Sequence, residues 1–332
     1  MTGGPTIYDV ARAAGVAPST VSRAFSRPGR VRAETAERIR EVARELGYRA
    51  TPLAHAECTT RTSTVALVIS DVTNPFNFPI IKGAHAAAAE SGFTTLLADA
   101  QESGLVERQT VERSLAAVEG VVLASSRMSD SAIRMMAKQK PMIVLNRTVA
   151  DVPSVVTDNP QGITRAVRHL AGLGHRSLTY VAGPEASWAD GVRWAAVRHA
   201  CAELGLRARR VGPCAPTVAA GAAAVDAVTA RKDCTAVVAY NDLLAIGVLR
   251  GAVAAGVRVP EDLSIVGCDD IFAAELVTPG LTTVAAPLRA LGETAVHNVI
   301  AMARGARSRA TDPVVLPTRL VVRSSTGPAP GR

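Results

Sequence analysis

T-I-Y-D-V-A-R-A-A-G-V-A-P-S-T-V-S-R-A-F, residues 6–25, divides into two short helical patterns at a glycine. Ile7, Val10, Ala11 and Ala14 recur at helical spacing on one face. Gly15 supplies the backbone freedom of a tight turn, and Val16, Val21 and Ala24 resume an apolar face on a second helix. Thr6 followed three residues later by Asp9 reads as a capping box, and Pro18 fits a first helical turn, where a missing N–H costs nothing. Opposite the apolar stripe stand Ser19, Thr20, Ser22 and Arg23. Short hydroxyls reach phosphates or base edges, and an arginine fork can grip guanine, so this polar face suits a helix laid in the DNA major groove. A plain helical hairpin with a polar outer face shares part of the pattern. The spacing and the glycine together favour a helix-turn-helix.

The bulk numbers agree. A chain of 332 residues implies two or three domains. At 48% hydrophobic and 20% charged it is no disordered chain, and with aromatics at 3% its core must be built from Ala, Val, Leu and Ile. Residues 1–62 hold ten arginines, no lysine and six acids, so they carry +4 of the total +8 in under a fifth of the length. That concentration is the electrostatic footprint expected of a nucleic-acid module. The five cysteines (58, 201, 214, 234 and 268) have no zinc spacing and read as reduced thiols. With no apolar leader at the start and no run approaching a membrane span, a cytoplasmic location is expected.

A third helix is expected over Ala33–Leu46, stopped by Gly47, completing a headpiece of residues 1–49. Residues 50–63 read as a linker with a short helical segment from Pro52. From residue 64 the pattern changes. Apolar runs at 65–69, 94–98, 121–124, 142–145, 178–182, 236–239, 263–267 and 282–285 alternate with amphipathic helical stretches at 79–91, 161–173, 192–204 and 243–255. Such alternation means parallel sheet covered on both faces, and the number of units favours two α/β lobes. The end, Gly327–Arg332, reads as a frayed tail. Ligands of open α/β sheets sit beyond the carboxyl ends of strands. There the sequence places Asp71, Thr73 and Asn74; Ser125, Ser126 and Arg127; Asn146 and Arg147; Asn241 and Asp242; and Asp269 and Asp270. As a set they predict a site for a polar small molecule.

These motifs resemble the lactose-repressor/galactose-repressor (LacI/GalR) family of transcription regulators. The likeness continues through L-G-Y-R at 46–49, D-V-T-N-P-F at 71–76, V-V-T-D-N-P-Q-G at 155–162, H-L-A-G-L-G-H-R at 169–176, Y-N-D-L-L-A-I-G at 240–247, V-P-E-D-L-S-I-V-G-C-D-D at 259–270 and T-P-G-L-T-T-V at 278–284. The resemblance implies a small all-α helix-turn-helix headpiece joined to a two-lobed, periplasmic-binding-protein-like α/β domain with parallel sheets and three crossovers. The effector and dimerisation domain then covers 64–326. One lobe takes about 64–158 and 288–316, the other about 159–285 and 317–326. It further implies a repressor that binds a palindromic operator in double-stranded DNA as a homodimer, or within a higher oligomer, and answers to a small polar effector, sugar-like. No cofactor, metal or membrane partner is implied. DNA contacts carried over are Thr6, Tyr8, Pro18, Ser19, Thr20, Ser22, Arg23 and Arg30, with Leu53 and His55 in the linker. Effector contacts carried over are Phe76, Asn77, Ser125, Asn146, Arg147, Asp158, Trp188, Arg193, Asn241 and Asp269.

Two positions depart from the family pattern. Where relatives carry a leucine that wedges into the operator's central minor-groove step, this chain has Glu57, and a carboxylate is repelled by phosphates. The hinge is therefore expected to contribute weakly, or Leu53 to replace the wedge, and Glu57→Leu should tighten operator binding in a gel-shift titration. The loop after Val211, G-P-C-A-P-T-V, lacks the aromatic residue that many relatives stack on a ligand. Two other classes share the α/β body. A solute-binding transport protein would have no use for residues 6–46. A sugar-acting enzyme would need chemistry that is not apparent: there is no P-loop, G-x-S-x-G, G-x-G-x-x-G or H-E-x-x-H.

Overall fold

The computed structural model describes residues 5–26, 29–46, 48, 62–231, 233–306 and 312–331. The chain divides into two compact units, residues 1–61 and 62–332.

The first unit holds helices α1 (Ile7–Ala14), α2 (Pro18–Ser26) and α3 (Ala33–Glu45). Asp9 accepts from the Thr6 N–H at 2.9 Å and the Thr6 hydroxyl at 2.6 Å, which ties down the first turn. Gly15 ends α1 at φ 64°, the left-handed conformation a side chain resists. Val10, Ala11, Ala14, Val21, Ala24, Ala36, Ile39 and Ala43 form the core, each inward on its helix. The expected third helix is present, with Leu46 as its cap. The proposed linker helix from Pro52, with Leu53, His55 and Glu57, lies outside the described residues.

The second unit runs β1 (Thr64–Ile69), α4 (Asn77–Glu90), β2 (Thr94–Asp99), α5 (Gly104–Ser114), β3 (Gly120–Ala124), α6 (Asp130–Ala137), β4 (Met142–Leu145), β5 (Ser154–Thr157) and α7 (Asn159–Gly172). It continues with β6 (Ser177–Val181), α8 (Trp188–Glu203), β7 (Arg207–Val211), α9 (Val218–Ala223), α10 (Val225–Thr229), β8 (Ala236–Ala239), α11 (Asp242–Ala254) and β9 (Ser264–Asp269). Last come α12 (Ala273–Leu276), β10 (Thr282–Ala285), α13 (Leu288–Ala303), β11 (Val314–Leu316) and β12 (Arg319–Val321). Among the described residues the strands form two six-stranded sheets, ordered β11-β5-β4-β3-β1-β2 and β12-β10-β9-β8-β6-β7. Every pairing is parallel except β10 with β12.

The chain therefore passes between lobes three times, at 157–159, 285–288 and 316–319. Strands β3, β4, β8 and β9 are buried along their whole length, as parallel strands covered by helices on both faces must be. In the first lobe α4 and α13 cross so closely that a Cβ on Gly83 would lie 2.1 Å from the Arg289 carbonyl oxygen, and one on Gly292 2.2 Å from that of Ile80.

One expectation is corrected. The Gly/Pro-rich tail is not frayed through Ala329: the Gly327 N–H donates to Ser264 at 3.0 Å, and the Ala329 N–H donates to the Leu173 carbonyl at 2.8 Å. Buried His175 contacts the Gly327 carbonyl at 3.1 Å. Composition alone suggested flexibility, but these backbone groups find hydrogen-bond partners on the second lobe.

Candidate functional sites

On the headpiece the apolar face of α2 turns inward through Val21 and Ala24, which leaves Ser19, Ser22 and Arg23 exposed and Pro18 and Thr20 half-buried. Tyr8 and Arg30 are also exposed, as is Thr6 at the start of α1. The hydroxyls and the arginine thus share one side of a single helix, anchored from behind by a core of small aliphatics. Such a surface presents hydroxyl and guanidinium groups that can reach base edges and phosphates in a groove.

The second site is a cleft between the lobes. From the first lobe it is lined by Ser70, Asn74, Phe76, Glu102, Ser125, Arg127 and Asn146; from the second by Ala189, Arg193, Pro216, Tyr240, Asn241 and Asp269. Its free volume is about 20 Å³, little more than one water. Six carried-over residues meet here: Phe76, Ser125, Asn146, Arg193, Asn241 and Asp269. Four do not line it. Asn77 is buried, donating to the Asp71 carbonyl at 2.7 Å. Arg147 binds the Met128 carbonyl and Asp130, both at 2.6 Å. Asp158 caps α7 through the Gln161 N–H at 3.1 Å. Trp188 opens α8, half-buried.

Arg193 organises the second-lobe wall. Nε donates to Asn159 at 2.9 Å, one Nη to the Tyr240 carbonyl, and the other to Asp269 at 3.0 Å. The guanidinium also lies 5.2 Å from the centre of the Tyr240 ring. Of its five N–H donors, three are thus committed within the protein. Burial works against its charge, but Asp269 together with Cys268, Tyr240 and Tyr180 outweighs it and the pKa rises. Burial likewise raises the pKa of Asp269, with Arg193 pulling the other way. Asp242, fully buried beneath, accepts from the Thr283 hydroxyl at 2.6 Å and the Ile271 N–H at 2.9 Å. Burial and then the neighbouring Asp269 push its pKa well up.

Across the cleft, Arg127 donates to Glu102 at 2.8 Å and to the Ser125 carbonyl at 3.0 Å. Burial opposes its charge too, yet Tyr240 from the other lobe and Glu102 together raise its pKa. The loop bearing Arg127 is clamped from behind. Its N–H donates to the buried carboxylate of Glu107 at 2.8 Å, and a Cβ on Gly104 would sit 2.8 Å from its carbonyl oxygen. Backbone strain gathers at the same place. Glu102, Ser125, Asn146 and Asp269 all have positive φ, at 55°, 57°, 56° and 116°. Non-glycine residues hold such angles only where surrounding contacts impose them, commonly at ligand sites.

The carried-over set lacked Ser70, Asn74, Glu102, Arg127, Ala189, Pro216 and Tyr240. Asn74 and Arg127 were among the polar residues following strands, and the same rule applied to the end of β2 would have found Glu102. Ala189 and Pro216 offer no polar signal. Pro216 comes from the loop that lacks an aromatic residue, and it supplies that part of the wall.

Comparison with known proteins follows the same division. Residues 6–50 match the profile of bacterial regulatory proteins of the lacI family, and residues 167–326 match a periplasmic binding protein-like domain. The chain is 32% identical over 334 residues to the HTH-type transcriptional regulator DegA of Bacillus subtilis, covering 97% of this chain and 98% of that one. Among solved structures, a transcriptional regulator CelR–cellobiose complex superposes with a TM-score of 0.73 at 31% identity, over 97% of this chain and 99% of that one. A LacI family transcriptional regulator from Enterococcus faecium with bound ribose gives 0.71 at 29% identity, over 80% and 99%. Among the described residues no helix is long and apolar enough to cross a membrane. With both halves matched and a relative aligned over nearly its whole length, the chain belongs to the lacI family of bacterial regulatory proteins: it is a DNA-binding regulator of transcription, not an enzyme.

Proposed function

We propose that the protein is a repressor which binds a palindromic operator as a homodimer and is controlled by a sugar or sugar derivative held between its lobes. The observation that carries this reading is the cleft wall itself. Strand ends from two separate sheets bring Ser125, Asn146, Asn241 and Asp269 together, helix α8 adds Arg193, and Phe76 supplies an apolar surface. Hydroxyl-rich ligands need that mixture of donors, acceptors and one ring. The cellobiose and ribose bound to the two similar regulators support a sugar over other polar ligands. Ser19, Thr20, Ser22 and Arg23 carry the base reading; Thr6, Tyr8 and Arg30 serve phosphate contacts, which makes affinity steeply salt-dependent.

Dimerisation is supported by apolar side chains that a monomer leaves wet. Leu96 and Leu97 lie exposed on the edge strand β2, Phe272 is 62% exposed and stacks on Phe78, and Leu276 is 75% exposed. Effector and operator binding are then linked, with a coupling of about 1–3 kcal/mol, or roughly 5–150-fold in affinity.

The test is a footprint of the purified protein on DNA upstream of its own gene, repeated with a panel of mono- and disaccharides and, separately, nucleosides. Protection of a palindrome that one sugar weakens or strengthens supports the reading. Protection that responds to a nucleoside and to no sugar rejects the effector class, and no protection of any sequence rejects the operator.

A further inference from the structure

The second lobe has another polar hollow at the end of its sheet away from the cleft. Cleft residues follow the carboxyl ends of strands, whereas Ser177 begins β6, Arg207 begins β7 and Asp233 precedes β8. The hollow has a volume of about 370 Å³, and Thr179, Arg209 and Arg231 complete its polar lining. Three guanidinium groups share it with one carboxylate. Asp233 is divided between Arg207 at 3.1 Å and Arg231 at 3.0 Å, and those contacts, Arg231 first, hold its pKa below the usual range. Two positive charges are therefore in excess around a concave space.

Arg209 adds an independent sign. Its Nη2 donates to the carbonyls of Ala227 and Val228 on α10, which fixes the side chain against the floor of the lobe. Its Nε is buried and has no partner. A buried donor left unpaired costs stability, and a native fold retains one chiefly where something else completes it. Arginines placed only to discourage edge-to-edge pairing of β7 would be fully solvated and need no hollow, whereas Arg207 is 63% exposed and Arg209 is partly buried.

We propose that this hollow is a binding site for a small phosphate-bearing molecule, separate from the interlobe cleft. Planar guanidinium forks match the oxygens of a phosphate in a way that a sugar hydroxyl does not exploit, and the Ser177 hydroxyl adds a neutral donor. A volume of about 370 Å³ suits a free phosphomonoester or diphosphate better than the extended backbone of a nucleic acid. Asp233 occupies two of the forks until the ligand arrives, so it competes with the anion and sets a ceiling on affinity. The site does not depend on which effector the cleft takes.

Calorimetric titration of the full-length protein with inorganic pyrophosphate, and then with inorganic phosphate, tests this against sodium chloride of equal ionic strength. Saturable binding of one pyrophosphate per chain is expected, weakened about tenfold by Arg207→Ala and by Arg231→Ala, each of which removes a charge-assisted contact. Asp233→Asn moves the other way and tightens binding, an effect that damage to the fold cannot imitate. The proposal is overturned if pyrophosphate binds no better than chloride, or if the Arg207→Ala/Arg231→Ala double variant binds it as the native chain does. Equal binding of acetate and phosphate per unit charge would also overturn it, since that marks general attraction to a basic surface.

Discussion

Glu107 does not line the cleft, yet it governs what Arg127 can do there. Its carboxylate accepts the Arg127 N–H, and burial raises its pKa against the opposing pull of Ser126 and Arg127. Glu107→Ala should therefore free the loop as well as open a small void. A stability loss of about 2–3 kcal/mol is expected in urea unfolding, with a parallel rise in the effector concentration needed to shift operator binding. Asp242 is a second carboxyl whose pKa burial raises, with Asp269 adding to the rise. Its folded pKa lies above the unfolded value of 3.8, so as pH rises from about 4 the unfolded chain releases a proton that the folded chain retains. Stability from this group is thus lost with rising pH. Asn at 242 can keep both hydrogen bonds, accepting from Ile271 and donating to Thr283, without the titration. The melting temperature of Asp242→Asn relative to the native chain should climb as pH goes from about 4 to 8; a constant offset would contradict the assignment. Individual residues were legible in the sequence wherever chemistry followed a strand end, as with Ser125, Asn146 and Asp269. Arg147 obeyed the same rule and Asp158 came from the family resemblance, but both were captured by local partners, Asp130 for one and the first turn of α7 for the other.

At the scale of elements, periodicity found the buried strands and missed the marginal ones. The apolar runs became β1, β3, β4, β8 and β10 almost to the residue. Strand β7 reads R-A-R-R-V and carries its charges because it is an edge, while β5, β11 and β12 are only three or four residues long. Nothing in such segments distinguishes a strand from a loop until a neighbouring strand supplies partners. Helix boundaries were set by caps, with Asn241 accepting the Leu244 N–H at 2.9 Å to start α11 one residue before the expected position. The α4–α13 crossing was not legible either, because only the pairing of Gly83 with Gly292 in space reveals why both are glycine. Gly292→Ala should push the helices apart and cost about 1–3 kcal/mol, read as a lower urea midpoint with an unchanged slope. Since α13 follows the second passage between lobes, the same variant is expected to alter effector response as well as stability.

For the molecule as a whole, the family pattern predicted the architecture more fully than composition could: headpiece, two α/β lobes and three passages all follow the expected order. What no pattern conveyed is how nearly shut the cleft is. With about 20 Å³ free, a monosaccharide fits only after the lobes part, so entry is limited by opening. In stopped-flow mixing, the observed association rate should level off at high effector concentration; a rate rising linearly throughout would mean that the cleft admits ligand as it stands. The triple passage at 157–159, 285–288 and 316–319 carries its own implication. Three side-by-side spans behave like the pins of a door: they permit swing about one line and suppress sliding or twisting. A protease nick in any one of them would leave the other two intact, so the halves would stay together while the stiffness that conveys a message between them drops. Severed communication without dissociation is thus a defect this architecture can display and a single-tether protein cannot.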